Sequence, residues 1–160
     1  GKNMPQQNMF SLELNQQDIA EINKAIATLK AKLMPALKSM NYEEKNELPK
    51  MGDKTIAFVT KAMEHCESNP DLVPPFLDTE EFKKDMKAIE TLRSFYSPLE
   101  QVTGMLSDSM ILAGSDAYSA ALMFYGSVKS AKKSNVAKAG SIYDDLSSRF
   151  PGTKMKKEAR

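Results

Sequence analysis

His65 and Cys66 are the adjacent residues whose types could support nucleophilic or metal chemistry. A cysteine nucleophile needs a base within hydrogen-bond reach, and a zinc site needs its nitrogen and sulfur ligands to converge on one ion. Neighbouring positions on a helix point about 100° apart, so these two side chains cannot easily serve the same proton or ion. The pattern therefore predicts a small core side chain at Cys66, a boundary side chain at His65, and neither a catalytic residue nor a metal.

Three tyrosines, Tyr96, Tyr118 and Tyr125, are candidate ligand-binding residues. Their hydroxyl groups could supply the few polar contacts that an apolar pocket uses to orient a small molecule. The same residues also lie at helical spacing on otherwise apolar stripes. Core packing with the hydroxyl groups reaching the surface is the alternative, and the spacing favours it.

The basic C-terminal end is a candidate surface for a protein partner. Residues 129–160 hold nine Lys or Arg and three Asp or Glu, although the whole chain has a net charge of only +1. Such an asymmetry could steer an acidic partner toward this end. A solvated helix face followed by a frayed tail is the favoured alternative, because basic tails are common and no aromatic residues are interleaved as a nucleic-acid platform needs. The candidate residues are Lys154, Lys156, Lys157 and Arg160.

The residue patterns of a dimetal centre and of a phosphate-binding loop are incomplete in this sequence. A carboxylate-bridged dimetal centre in a helix bundle needs Glu-x-x-His pairs, but the single histidine, His65, follows Ala62 at that spacing. Gly52 and Gly114 stand alone, without the glycine spacing that cradles a phosphate. We therefore expect no cofactor and no enzyme.

Apolar residues recur at helical spacing along most of the chain. A first helix is predicted after an N-cap at Asn15, with a seam of alternating spacings of three and four that crosses Pro35 as a kink. Asn41 begins a capping-box pattern and predicts a short turn of helix. A second main helix is predicted from Pro49, which suits a first turn, to about Ser68.

Two further helices are predicted in the second half of the chain, with a break between them. The third is capped by Asp78 or Thr79 and continues through Pro98 as one long bent helix to about residue 113. Gly114 is then a C-cap and Ser115 an N-cap.

The fourth helix covers residues 116–133 and contains the apolar run 120–125, which predicts the most enclosed element of the domain. A turn at residues 134–135 precedes a short fifth helix that ends before Pro151.

Residues 69–79 form the strongest break in the helical pattern. Three prolines remove three backbone donors and disfavour helical geometry in the residues before them. The segment also holds apolar residues that a solvated tether would not need, so it is predicted to pack over one end of the bundle. These residues are Leu72, Val73, Phe76 and Leu77.

Length and composition indicate one domain. With 160 residues and 41% hydrophobic side chains, the chain can bury a single core, and no apolar run approaches the roughly 20 residues that span a bilayer. We expect a partly ordered lead-in at residues 1–14, a helical domain at 15–150 and a basic tail at 151–160. The single cysteine mildly favours a reducing, cytoplasmic compartment.

Three blocks resemble an uncharacterised family of small all-helical bacterial proteins. They are residues 48–59, residues 69–85 and residues 114–131, in the same order. The resemblance covers roughly residues 15–150 and implies a single-domain bundle, without a reaction, cofactor or binding residue. Residues 142–153 are also similar to the second helix and turn of a tetratricopeptide repeat, but no period of about 34 residues recurs.

The sequence thus predicts an all-α protein, a mainly antiparallel bundle of four principal helices plus a short C-terminal helix. Its expected function is a non-enzymatic interaction or structural role with a protein partner, and a homo-oligomer is included among the candidates. A small-ligand-binding bundle with a tyrosine-lined pocket is the alternative.

Overall fold

The structure, a computed structural model, describes residues 8–151. Over this range the fold is all-α, with four principal helices and a short C-terminal helix, as predicted. None of the described helices is long and apolar enough to cross a membrane. The helices are α1 (Gln16–Leu33), α2 (Tyr42–Glu47), α3 (Asp53–Ser68), α4 (Thr79–Lys133) and α5 (Ala139–Arg149), with 3₁₀ turns at Met34–Ala36 and Pro70–Leu72.

Side-chain caps fix the starts of three helices. Asn15 accepts a hydrogen bond from the amide N–H three residues later at 2.7 Å. Asn41 and Glu44 form a capping box, in which each side chain accepts from the other residue's amide at 2.8 and 2.9 Å. Asp78 accepts from the Glu81 amide at 3.1 Å and is the cap of α4. These predicted caps are confirmed.

Two predictions about prolines are wrong. Helix α1 ends at Leu33, and Pro35 lies in the 3₁₀ turn that follows, because a proline removes one helical hydrogen bond and its ring clashes with the carbonyl four residues earlier. Pro49 does not start a helix, since α3 begins at Asp53. Pro98, by contrast, lies inside continuous helix, as predicted.

The predicted break between a third and a fourth helix is also wrong. Helix α4 continues through Gly114 and Ser115, and no described glycine has the positive φ of a C-cap. A helical glycine costs only about 1 kcal/mol relative to alanine, so the favourable residues on both sides are enough to continue the helix.

The chain divides into two compact units. The N-terminal unit consists of residues 13–101, with α1, α2, α3 and the first part of α4. Among the described residues, the C-terminal unit combines residues 8–12 with residues 102–151, and so contains the rest of α4 and α5. The domain boundaries predicted from sequence stay a prediction.

Full burial is confined to the C-terminal unit. Val128, Ala139 and Asp116 are buried there, whereas residues 13–101 include half-buried side chains but no buried one. The range 116–133, predicted to be the most enclosed element, holds Asp116 and Val128, two of the three buried residues among those described, but its apolar run 120–125 is not enclosed, because Met123 and Phe124 are 54% and 56% exposed. Apolar spacing identifies a face, but a second element must cover that face before it is buried.

The proline segment packs only in part. Its 3₁₀ turn is followed by a second turn in which the Leu77 amide donates to the Pro74 carbonyl at 3.0 Å. Val73 and Leu77 are half-buried, but Leu72 and Phe76 are 77% and 91% exposed. The prediction that all four apolar side chains pack is therefore wrong for Leu72 and Phe76.

Candidate functional site

Within the C-terminal unit, a buried carboxylate on α4 holds residues 8–12, which we call the N-terminal segment. Asp116 is 8% exposed, and its Oδ2 accepts hydrogen bonds from the amides of Met9 and Phe10 at 2.9 and 3.0 Å. When the Asn8 side-chain amide is oriented so that its oxygen and its nitrogen both have hydrogen-bond partners, the nitrogen donates to the same Asp116 oxygen at 2.9 Å. Residues 8–10 are therefore held by charge-assisted hydrogen bonds.

A Schellman motif turns the chain from α4 toward α5. The Asn135 amide donates to the Lys132 carbonyl and the Val136 amide donates to the Ala131 carbonyl, both at 3.1 Å. Asn135 has a φ of 59°, a left-handed conformation that asparagine tolerates better than most residues. The motif ends α4 at Lys133 and reverses the chain, so side chains of α5 face those of α4.

Three rings form an aromatic cluster between these helices, namely Tyr125 on α4, Tyr143 on α5 and Phe150 at the end of α5. The Tyr125 ring stacks on Tyr143 with centroids 5.6 Å apart and planes inclined by 4°. Phe150 stacks on Tyr125 with centroids 5.7 Å apart. Tyr143 and Phe150 are seven residues apart, so α5 presents both on one face.

Two lysines lie over the aromatic cluster. The ammonium group of Lys132 is 4.2 Å from the centre of the Tyr143 ring, and that of Lys129 is 5.1 Å from the centre of the Tyr125 ring. Both distances allow cation–π attraction. Partial desolvation, followed by the neighbouring Tyr143 hydroxyl, raises the pKa of Tyr125.

A small pocket opens beside the aromatic cluster. It has a volume of 190 Å³, and Tyr118, Tyr125, Leu146 and Phe150 contribute to its wall. Arg149 also lines it, and its guanidinium pairs with Asp145 at 3.1 Å. Two of the three predicted ligand-binding tyrosines, Tyr118 and Tyr125, thus contribute to one pocket.

The third tyrosine of that prediction lies elsewhere. Tyr96 belongs to the N-terminal unit, on the earlier part of α4, and is 65% exposed. The carboxylate of Glu100 raises the pKa of Tyr96, because its acceptor oxygens and its negative charge favour the protonated phenol. The predicted partner-binding residues Lys154, Lys156, Lys157 and Arg160 lie outside the described residues.

His65 and Cys66 occupy the turn of α3 that precedes its end. Cys66 is a free, half-buried thiol and His65 is exposed, so each is less enclosed than the core and boundary positions predicted for them. Within residues 8–151, no group of three or more His, Cys, Asp and Glu side chains converges.

A larger groove lies within the N-terminal unit, between α3 with its preceding residues and the first turns of α4. It has a volume of 880 Å³. We call it the methionine groove, because three methionines contribute to its apolar floor. The floor residues are Met51, Ile56, Met63, Met86 and Ile89, and the charged residues along it are Lys83, Lys84, Lys87, Glu90 and Arg93.

Sequence reasoning did not identify this groove, although part of its signal was visible. Met63 and Met86 lie on the predicted apolar stripes of two different helices, where gap-filling in a core explains them as well. Lys83 and Lys87 are one turn apart and flank Met86. Only the structure shows that side chains of both stripes line one groove.

Comparison with known proteins gives no relative. No family model matches the chain, and no curated protein and no solved structure matches it significantly.

Proposed function

We propose that this protein is a non-enzymatic interaction protein that offers helical faces to a protein partner. The observation that carries the proposal is an apolar stripe on α4, in the C-terminal unit. Val102, Met105 and Leu106 recur at spacings of three and four and are 55%, 65% and 59% exposed. Contiguous exposed apolar side chains usually mark an interaction site in a folded protein.

The stripe has the character of a helix-packing seam. Residues 102–113 contain a single charged side chain, Asp108. Spacings of three and four present one face to a partner helix that lies nearly parallel or antiparallel. A face without charge accepts an uncharged face of another protein or of a second copy of this chain, so a homo-oligomer belongs to the same proposal.

Affinity capture with a polar variant tests the proposal. Val102→Gln with Leu106→Gln keeps helix-forming residues but removes the apolar surface, and we expect recovery of a specific partner to fall on the order of tenfold. Ser107→Gln, at an exposed polar position of the same helix, is the matched control. Sedimentation velocity of the purified proteins detects the case in which the partner is a second copy. Equal recovery and equal association state for both variants would contradict the proposal.

The basic tail is the second surface within this proposal. A chain ending at Phe150 lacks Lys154, Lys156, Lys157 and Arg160. If the tail steers an acidic partner, the truncated chain should associate more slowly at low salt and show less salt dependence. Unchanged association kinetics would remove the tail from the proposal.

A small-ligand-binding role is the alternative, favoured by the 190 Å³ pocket beside Tyr118 and Tyr125. Its volume lies below the roughly 300–1,000 Å³ of most ligand sites, so only a small molecule fits. Benzoate is a suitable probe, because its ring matches the aromatic wall and its carboxylate matches Arg149. Chemical-shift changes confined to the pocket residues would support this role, and toluene is the control for the carboxylate.

Two further expectations belong to the proposal. The resemblance to an uncharacterised bacterial all-helical family over residues 15–150 is compatible with an interaction role and assigns no residue to it. The single cysteine is the reason to place the interaction in the cytoplasm.

A further inference from the structure

We infer that the methionine groove binds an amphipathic helix of a partner protein whose flanks carry carboxylates. The inference rests on the proposed function, because it names one surface and one partner chemistry for it. The groove lies entirely within the N-terminal unit and does not include the α4 stripe described above. The two surfaces can therefore be tested separately.

The floor of the groove is suited to apolar side chains of varied shape. Met51, Ile56 and Met63 line one side, Met86 and Ile89 line the other, and all five are only half-buried. Methionine is unbranched and has three rotatable bonds, so it adapts to different partner side chains. Amphipathic helices characteristically place their apolar face in grooves of this kind.

Cations dominate the groove wall. Lys83, Lys84, Lys87 and Arg93 line it, with Glu90 as the acidic residue among them. From Lys83 to Lys87 the helix rises about 6 Å, and Arg93 lies about 9 Å further along the axis. A helix lying beside α4 presents carboxylates three or four residues apart at the same rise. The row of cationic side chains therefore matches a helix that carries several carboxylates better than a ligand that carries one.

The lysines of the wall are held by weak ion pairs that a partner can replace. Lys83 pairs with Glu67 at 3.2 Å, and Lys87 pairs with Glu90 at 3.6 Å. All four of these side chains are well exposed, and exposed ion pairs contribute little to stability. Arg93 has no ion-pair partner among residues 8–151. Partner carboxylates can therefore bind the wall without breaking a strong internal contact.

The openness of the groove to solvent favours a helix over a small amphiphile. Small-molecule sites bury most of the surface of their ligand, whereas the lining here extends over about four turns of α4, from Lys83 to Ser97, and its apolar floor is half-exposed. An occupant that covers the whole floor needs an apolar face of comparable length. A helix of several turns has such a face, with its i, i+3, i+4 and i+7 side chains directed into the groove.

A designed peptide tests the inference on the full chain. The probe is a capped helical peptide of about 20 residues with a leucine stripe and glutamates on both flanks. We expect saturable binding by fluorescence anisotropy, weakened by added salt, with shifts of the ¹³C-methyl resonances of Met51, Met63 and Met86. A peptide with lysine in place of every glutamate should bind at least about tenfold more weakly.

Charge-reversal variants give the sharper test. Lys87→Glu with Arg93→Glu should weaken binding of the glutamate peptide at least about tenfold and restore binding of the lysine peptide. Lys24→Glu with Lys30→Glu, at exposed positions of α1 outside the groove wall, is the matched control and should leave binding unchanged apart from a small loss at low salt. Circular dichroism checks that each variant keeps its helices.

The outcomes separate this inference from the proposed function. Any one of three results would overturn the inference that the groove binds the helix. They are equal binding of both peptides, unchanged methionine methyl resonances, and binding that Lys87→Glu with Arg93→Glu does not weaken. Binding to vesicles containing phosphatidylglycerol without binding to the glutamate peptide would also overturn it. If a partner is captured through the α4 stripe while the groove tests fail, the proposed function stands and only the groove is wrong.

Discussion

Among the described residues, Asp116 is the buried carboxylate, and its position explains how the N-terminal segment is held. The amides of Met9 and Phe10 converge on its Oδ2, although these residues are separated from it by more than one hundred positions in the chain. The sequence predicted only a partly ordered lead-in at residues 1–14 and could not assign a polar anchor to Met9 and Phe10. Instead, Gly114 as a C-cap and Ser115 as an N-cap predicted that a new helix starts at residue 116.

Replacing Asp116 should release the N-terminal segment. Asp116→Ala removes the acceptor and should lower the free energy of unfolding by about 1–3 kcal/mol, with Asp116→Asn intermediate because its amide oxygen still accepts without charge. Urea denaturation measures the loss, and hydrogen exchange should become faster at the Met9 and Phe10 amides. Asp108→Ala, exposed on the same helix, is the control. Unchanged exchange at the two amides would contradict the role of Asp116.

Tyr125 provides a pH-dependent readout of the aromatic cluster. Its raised pKa means that the folded state holds the phenolic proton more tightly than the unfolded state does. The corresponding stability is fully present below about pH 10, the ordinary pKa of tyrosine, and is lost as the pH rises through the raised value. Tyr125→Phe should reduce this alkaline loss of stability.

Tyr143→Phe separates the causes of the raised pKa. It keeps the stacked ring but removes the neighbouring hydroxyl, so the pKa of Tyr125 should fall toward its ordinary value while partial desolvation keeps some of the shift. NMR titration of the labelled Tyr125 ring measures this directly. An unchanged pKa would show that the hydroxyl of Tyr143 does not contribute.

At the scale of elements, two prolines have opposite consequences. Pro35 lies just beyond the last residue of α1, whereas Pro98 lies inside α4. An interior proline costs about 3 kcal/mol or more, which further helix must offset. Only five residues separate Pro35 from the next cap, Asn41, but Pro98 is followed by helix as far as Lys133. The length of favourable sequence beyond the proline therefore decides whether the helix continues.

Gly114→Ala tests the continuity of α4. A Cβ at Gly114 would meet no atom within 4 Å, and the helix there is regular, so alanine should raise the free energy of unfolding by about 0.5–1 kcal/mol. Gly104→Ala is the matched control, because that position is helical in the sequence prediction as well. Destabilisation by Gly114→Ala with stabilisation by Gly104→Ala would indicate that Gly114 is a C-cap with positive φ.

At the scale of the whole molecule, the described chain buries few of its apolar side chains. Val128 and Ala139 are the buried apolar residues in the range 8–151, and many large apolar side chains on α1 and α4 are exposed. The interaction role that we propose would explain such a surface, since a partner would then supply the missing contacts.

The isolated chain should therefore unfold with low cooperativity. We expect a broad thermal transition with a calorimetric enthalpy well below the value of about 0.7 kcal/mol per residue that globular proteins show near 60 °C. We also expect strong binding of an apolar dye. Val102→Gln with Leu106→Gln should reduce dye binding without changing the enthalpy. A sharp transition with ordinary enthalpy would show that the chain alone buries these faces.

The sequence by itself determined the all-α class and three of the helix N-caps. Asn15, Asn41 and Asp78 act through hydrogen bonds to amides three residues away, so local chemistry was sufficient to predict them. The candidate sites were only partly predictable. Tyr118 and Tyr125 were identified by residue type, but the methionine groove depends on the tertiary placement of α3 and the start of α4.

Only the tertiary structure decided which apolar faces are covered. Phe124 and Val128 are one turn apart on α4 and equally apolar in pattern, yet the first is 56% exposed and the second 6%. Helical periodicity defines a face through the geometry of one element. Burial depends on a second element, and here the turn at Asn135 brings α5 back along only the last part of α4. The faces that α5 does not reach stay open, and we propose that a partner covers them.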